Sequence, residues 1–198
     1  MEEELTKELA ENLMKIKGEV RGIVFRTDAQ YVLKTKGKEG LKKVEEELER
    51  IGYPIDYEKI NTMAFYPIGQ RAISLLAIQK VFALSEKDIR EMGVRAPKIS
   101  LIIKLFMRYF LSIEETVKQV PKMWEKHYTI GKLKAEAYEK QRYIVLKLED
   151  FVIHPILCSY LTGYFSTVVQ MVVKAKVLAK ETKCPFKGDK YHEFLFKW

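Results

Sequence analysis

Cys158, Glu181, Cys184 and His192 are the residues of this chain whose types and spacing could do coordination chemistry together. Two thiolates, an imidazole and a carboxylate are ordinary donors to zinc, and four protein ligands make a closed tetrahedral site with no open position for water or substrate. Such a site is structural, and its binding free energy becomes folding free energy. Cys184 and His192 lie symmetrically about Gly188. A hairpin turning there sets them face to face, with directly opposed Cβ atoms about 5 Å apart. Glu181 stands at an odd offset from Cys184. In a regular strand that offset sends the two side chains to opposite faces, so a bulge near Thr182 or Lys183 is needed to unite them. The competing reading is a small buried cysteine on a core helix and a surface turn with an incidental histidine.

No catalytic arrangement stands out. Gly37, Gly40 and Gly52 are isolated and punctuate helices rather than form a phosphate loop. No serine or cysteine sits in a nucleophile elbow. His127 and His154 could serve as general bases, but a single histidine beside a helix start more often caps or packs. The chain therefore reads as a binding domain and not an enzyme. Its net charge of +8 is spread along the chain and interleaved with acids, which argues against a nucleic-acid footprint. The acidic, amphipathic start lacks the features of a secretory signal. With two cysteines and no such signal, reduced thiols and a cytoplasmic location are expected. The longest near-apolar stretch, residues 155–173, is interrupted by Ser, Thr and Gln, so a buried helix is expected there and not a membrane span.

The elements that must position these residues follow from periodicity. Leu5, Leu9, Leu13 and Ile16 mark an amphipathic helix ended by Gly18. Asp28 is a plausible N-cap for a helix through Leu33. A charged, glycine-containing loop is expected over residues 34–40, followed by a helix over residues 41–51. Residues 70–84 form an apolar helix. Ser85 caps a short helix closed by Gly93. Residues 100–110 could form a buried helix. Ser112 with Glu115 is a capping-box signal for the next helix. Beyond Gly131 the period changes to two, through Leu133, Ala135 and Ala137, then Ile144, Leu146 and Leu148. Pro155 opens a long helix, and a second hairpin turns at residues 187–189. The expected fold is α+β: a helical N-terminal half, then strand-strand-helix-strand-strand, giving a four-stranded antiparallel sheet with the long helix packed on it. Residues 1–18 are expected to be an N-terminal helix available for a dimer contact. Residues 19–198 are expected to be one domain, with a helical part over 19–130 and a sheet part over 131–198.

Cys158, the run Glu181-Thr182-Lys183-Cys184, Gly188-Asp189 and position 192 before Phe194 resemble the end of the 4-vinyl reductase domain. That family binds small hydrophobic molecules in sensors of aromatic-responsive transcriptional activators, and it also occurs in proteins linked to bacteriochlorophyll synthesis. Its sensor members hold zinc with Cys, Glu, Cys and Cys, so the resemblance implies a structural zinc at Cys158, Glu181, Cys184 and His192, with histidine replacing the last cysteine. The likeness covers residues 124–198. The helical part, with Arg21-Gly22-Ile23-Val24-Phe25, is more loosely similar to haem-nitric-oxide-binding domains, and the sheet-and-helix core is shared with vesicle-tethering subunits. Haem is disfavoured, because His127 is followed by Tyr-Thr-Ile-Gly-Lys and not by a Tyr-x-Ser-x-Arg motif. The resemblance implies a small hydrophobic or aromatic ligand held among the aromatic residues of sheet and helix. A homodimer is the expected assembly. The alternatives are a protein-interaction module or an accessory protein of tetrapyrrole or aromatic metabolism.

Overall fold

The computed structural model describes residues 4–99 and 112–198. Among them six helices and six strands follow one another, with the larger sheet last. This is the expected α+β arrangement.

Helix α1 (Lys7–Met14) is capped by Thr6, whose hydroxyl accepts from the Leu9 amide at 3.1 Å. Leu5, Ala10 and Leu13 are buried within the chain itself. The backbone of Leu13 rests on Gly69, where a Cβ would overlap it. Strand β1 (Glu19–Arg21) pairs with β2 (Phe65–Pro67). Helix α2 (Ile23–Arg50) replaces the expected pair of helices and loop. The break is confined to Gly37, at φ 73° and ψ −174°, a conformation open essentially to glycine alone. Asp28 lies inside this helix and is fully buried, so it is not an N-cap. Helix α3 (Ile68–Val81) is buried around most of its circumference.

Helix α4 (Glu86–Ile99) runs through Gly93, where the sequence reading ended it. The glycine serves close packing instead of termination. A Cβ at Gly93 would strike the Tyr160 carbonyl, and one at Gly163 would strike the Arg90 carbonyl. The two glycines let α4 and α6 (Pro155–Val173) touch backbone to backbone. The stretch 100–110, read as a buried helix, lies outside the described residues. Helix α5 (Ile113–Glu125) starts at Ser112, which accepts from the Glu115 amide at 3.1 Å.

Strands β3 (Lys132–Tyr138), β4 (Tyr143–Glu149), β5 (Leu178–Lys183) and β6 (His192–Lys197) form an antiparallel sheet in the order β3-β4-β6-β5. Period-two alternation gives it one buried face carrying Leu133, Ile144, Leu146, Leu148, Phe194 and Phe196. Helix α6 packs on that face, with the rings of Phe165 and Phe194 5.4 Å apart. Among the described residues α6 is the helix long and apolar enough to cross a membrane, and 61% of its most apolar window is buried inside the fold. It is the central core helix.

The β5–β6 register slips between Glu181 and Lys183. This is the bulge that the odd offset required. The expected opposition of Cys184 and His192 does not form. Cys184 lies beyond β5 and leads a short 3-10 turn, Pro185–Lys187, while His192 pairs with Leu148 of β4.

Candidate metal centre and apolar cavity

The structure brings Cys158, Glu181, Cys184 and His192 together by a different local route from the one the spacing suggested. One donor atom from each lies within 4.8 Å of all the others. Cys158 Sγ is 3.7 Å from Cys184 Sγ and 3.8 Å from His192 Nδ1. Glu181 Oε1 is 2.9 Å from the same Nδ1. Cys158 comes from α6. Glu181 lies on the buried face in regular register, opposite Phe194, and the bulge at Thr182 turns Cys184 to that same face. Cys184 is held by a tight turn: its amide donates to Asp189 Oδ2 at 2.8 Å, and its carbonyl accepts from Lys187 at 2.8 Å.

The tautomer of His192 follows from its other nitrogen. Nε2 donates to the Phe151 carbonyl at 2.7 Å, which leaves Nδ1 turned toward the two sulfurs and the carboxylate. Cys158, Cys184 and His192 are buried and Glu181 is half-buried. Burial, aided by Glu181 and Cys184, pushes the Cys158 thiol up, and burial raises Cys184 as well. A cation among the donors would reverse both effects, because it stabilises thiolates directly.

The second feature is an apolar cavity of about 150 Å³ between the helical half and the sheet. Trp124, Tyr128, Leu133, Leu146, Tyr164 and Phe165 are among its walls. Trp124 and Tyr128 stack with centroids 4.0 Å apart, and the indole donates to the Ile130 carbonyl at 3.0 Å. The loop carrying His127 and Tyr128 is pinned by β1. The Arg21 amide donates to the His127 carbonyl at 2.8 Å, and Val20 bridges Tyr128. His127 lines the cavity. Burial, with Arg21 and Lys126 nearby, holds its pKa below the ordinary histidine value.

At one end of the cavity the wall turns polar. Arg71 of α3 and Asp28 of α2 form an ion pair in which both side chains are 1% exposed. Tyr160 donates to Asp28 Oδ1 at 3.1 Å, and its ring lies 4.8 Å from the Arg71 guanidinium carbon. Sequence reasoning missed this pair. The available signal was a lone arginine inside the otherwise apolar run 70–84 and an acid inside a helix interior.

No protein-family model matches the chain, and no curated protein matches it. Solved structures do. An H-NOX protein from S. oneidensis in the Fe(II)NO ligation state superimposes with a TM-score of 0.67 at 13% identity, covering 89% of this chain and 98% of that one. An oxygen-binding H-NOX domain related to soluble guanylate cyclases gives 0.64 at 12% identity, over 89% of this chain and 94% of that one. A structure described under modulation of haem redox potential through protein-induced porphyrin distortion gives 0.59 at 16% identity, over 90% and 99%.

These neighbours correct one expectation. Zinc as the cofactor and haem as disfavoured do not stand, because the shared fold belongs to structures described by haem and by iron ligation. On this chain His127 presents a neutral imidazole to the cavity, the form that ligates a metal. The space beside it is that of one benzene ring, smaller than a haem macrocycle. At this level of identity the comparison establishes the architecture: the chain has the fold of H-NOX domains.

Proposed function

We propose that this chain is a small-molecule-sensing domain that takes an apolar ligand into the cavity between its helical half and its sheet. It does so without catalytic chemistry of its own. The observation that carries this reading is the cavity itself. Its volume of about 150 Å³ is that of engineered apolar cavities that stay dry and bind benzene, and its aromatic walls suit such a guest. Both halves of the fold contribute walls, so an occupant contacts both. The test is calorimetric titration with benzene and toluene on the chain and on Ala135→Leu, which fills part of the cavity. Saturable binding that the substitution abolishes is the expected result, and no heat from either ligand overturns the reading.

A second reading places haem in the same region with His127 as the axial donor. It is supported by the neutral imidazole on the wall and by the haem-associated structures that share the fold. Haem would supply an iron that binds small gases. Titration with haemin, followed by absorbance, separates this from the first reading. A stoichiometric Soret band lost in His127→Ala supports it, and free-haemin absorbance throughout removes it.

We also propose the four converging donors as a cation site that fastens α6 to the C-terminal hairpin. Two buried sulfurs, a histidine nitrogen with its tautomer fixed by Phe151 and a carboxylate set opposite Phe194 form a closed set. The likeness to the 4-vinyl reductase domain rests on these same residues.

A further inference from the structure

The ion pair at the end of the cavity says what kind of ligand the cavity prefers. Arg71 is 1% exposed and lines the cavity. It forms an ion pair with Asp28, but neither its Nε nor its Nη1 has a hydrogen-bond partner among the described residues. A buried donor left unpaired is costly, and native structures rarely tolerate one without a ligand or water to satisfy it. Tyr128 and Tyr164 line the same space, and the positive charge of Arg71 opposes the burial-driven rise of both phenols, which places their rings within its electrostatic reach. This end of the cavity is therefore rich in donors. It is also close to electrically neutral, because Asp28 already balances Arg71. A second anion would leave excess negative charge out of water, whereas an uncharged acceptor leaves the balance intact.

We infer that Arg71, with Tyr164 and Tyr128 beside it, selects an uncharged apolar molecule bearing one hydrogen-bond-acceptor oxygen, of the size of a six-membered ring ketone. This inference rests on the cavity being a ligand site. The acceptor oxygen takes the free Arg71 donor, the ring packs on Trp124 and Phe165, and Asp28 keeps the guanidinium in place. Asp28 is a positioning residue in this arrangement and does not touch the ligand.

The test is calorimetric titration of the full chain with three probes: cyclohexanone, methylcyclohexane of equal heavy-atom count, and cyclopentanecarboxylate. The expected result is binding of both uncharged molecules, with cyclohexanone tighter by about tenfold, the worth of one charge-assisted hydrogen bond, and no binding of the carboxylate. Two variants locate the preference. The double variant Arg71→Met with Asp28→Asn removes both charges together, so that neither is stranded, and should bind the two uncharged probes equally. Tyr164→Phe deletes one hydroxyl with little change of shape. It keeps the fold testable if the double variant does not fold, and should reduce the preference about threefold, in keeping with a modest neutral hydrogen bond. Equal binding of ketone and hydrocarbon by the unaltered chain overturns the inference alone. So does a ketone preference that survives in both variants, or tighter binding of the carboxylate. Binding of none of the probes overturns the ligand-site reading, and this inference with it.

Discussion

The sulfur of Cys158, on the central helix, lies 3.7 Å from the sulfur of Cys184, on the turn that follows β5. Neither sits in a regular strand, and they meet because the bulge at Thr182 and the turn at Gly188 fold the end of the chain back over the N-terminal turn of α6. With His192 and Glu181 added, the donors are disposed around one point. Co(II) added to the reduced chain should give thiolate charge-transfer absorption at one ion per chain. Cys184→Ser should weaken that binding by more than about a hundredfold, since loss of an outer partner alone costs up to that much. An unchanged spectrum in Cys184→Ser would sink the site.

The fixed tautomer of His192 leads to a second expectation. Its Nε2 is occupied by the Phe151 carbonyl, so the ring cannot turn to offer that nitrogen without losing a buried hydrogen bond. His192→Gln removes the donor set's one imidazole, while His192→Cys keeps a ligand. Thermal melts with and without Co(II) should show ion-dependent stabilisation in His192→Cys and none in His192→Gln. Equal ion-dependent shifts in both would show that position 192 does not ligate.

Acid should weaken the fold through His127. Its folded pKa is depressed, first by burial and then by Arg21 and Lys126. Between the unfolded value of about 6.5 and that lower folded value, the unfolded chain holds a proton that the folded chain releases. Stability is therefore complete above about 6.5 and falls as pH drops through this window. Urea unfolding at pH 7.5 and pH 5.5 should differ less in His127→Gln than in the unaltered chain. Identical pH dependence would place the sensitivity elsewhere.

The contact between α4 and α6 predicts a steep cost for one methyl group. At Gly163 a Cβ would meet the Arg90 carbonyl, and both backbones are flanked by packed helix. Gly163→Ala should lose about 1–3 kcal/mol, the ordinary cost of overpacking, measured by denaturant midpoint. Gly37→Ala tests a different cause. No atom lies within 4 Å of its missing Cβ, so any loss there, about 1–3 kcal/mol for a conformation open essentially to glycine, comes from the backbone and not from crowding. Two losses of different origin should add, because the sites share no partners.

Much of this was legible from residues alone, for local reasons. Ala135 and Leu146 fall on one face because strands alternate, and Ser112 announces α5 because its hydroxyl satisfies an orphan amide. The four donors were legible as a set, but the register was not. Alternation assumes a regular ladder, and the slip between Glu181 and Lys183 breaks it. Gly93 was misread for a related reason: a glycine that ends a helix and a glycine that admits a neighbour look alike in sequence. Asp28 and Arg71 find each other across two helices. No short-range pattern encodes such a pair, and only the oddity of charge inside apolar runs marks it.

The break at Gly37 has one last consequence. It divides α2 into an arm whose Val24 and Thr27 face the cavity and an arm whose Leu41, Val44 and Leu48 are locked into the core. Phe25, Ala29 and Val32 on the first arm are buried as deeply as the second arm's leucines. Residue 37 is thus an elbow moored on both sides, and its angle sets where Val24 and Thr27 meet the guest chamber.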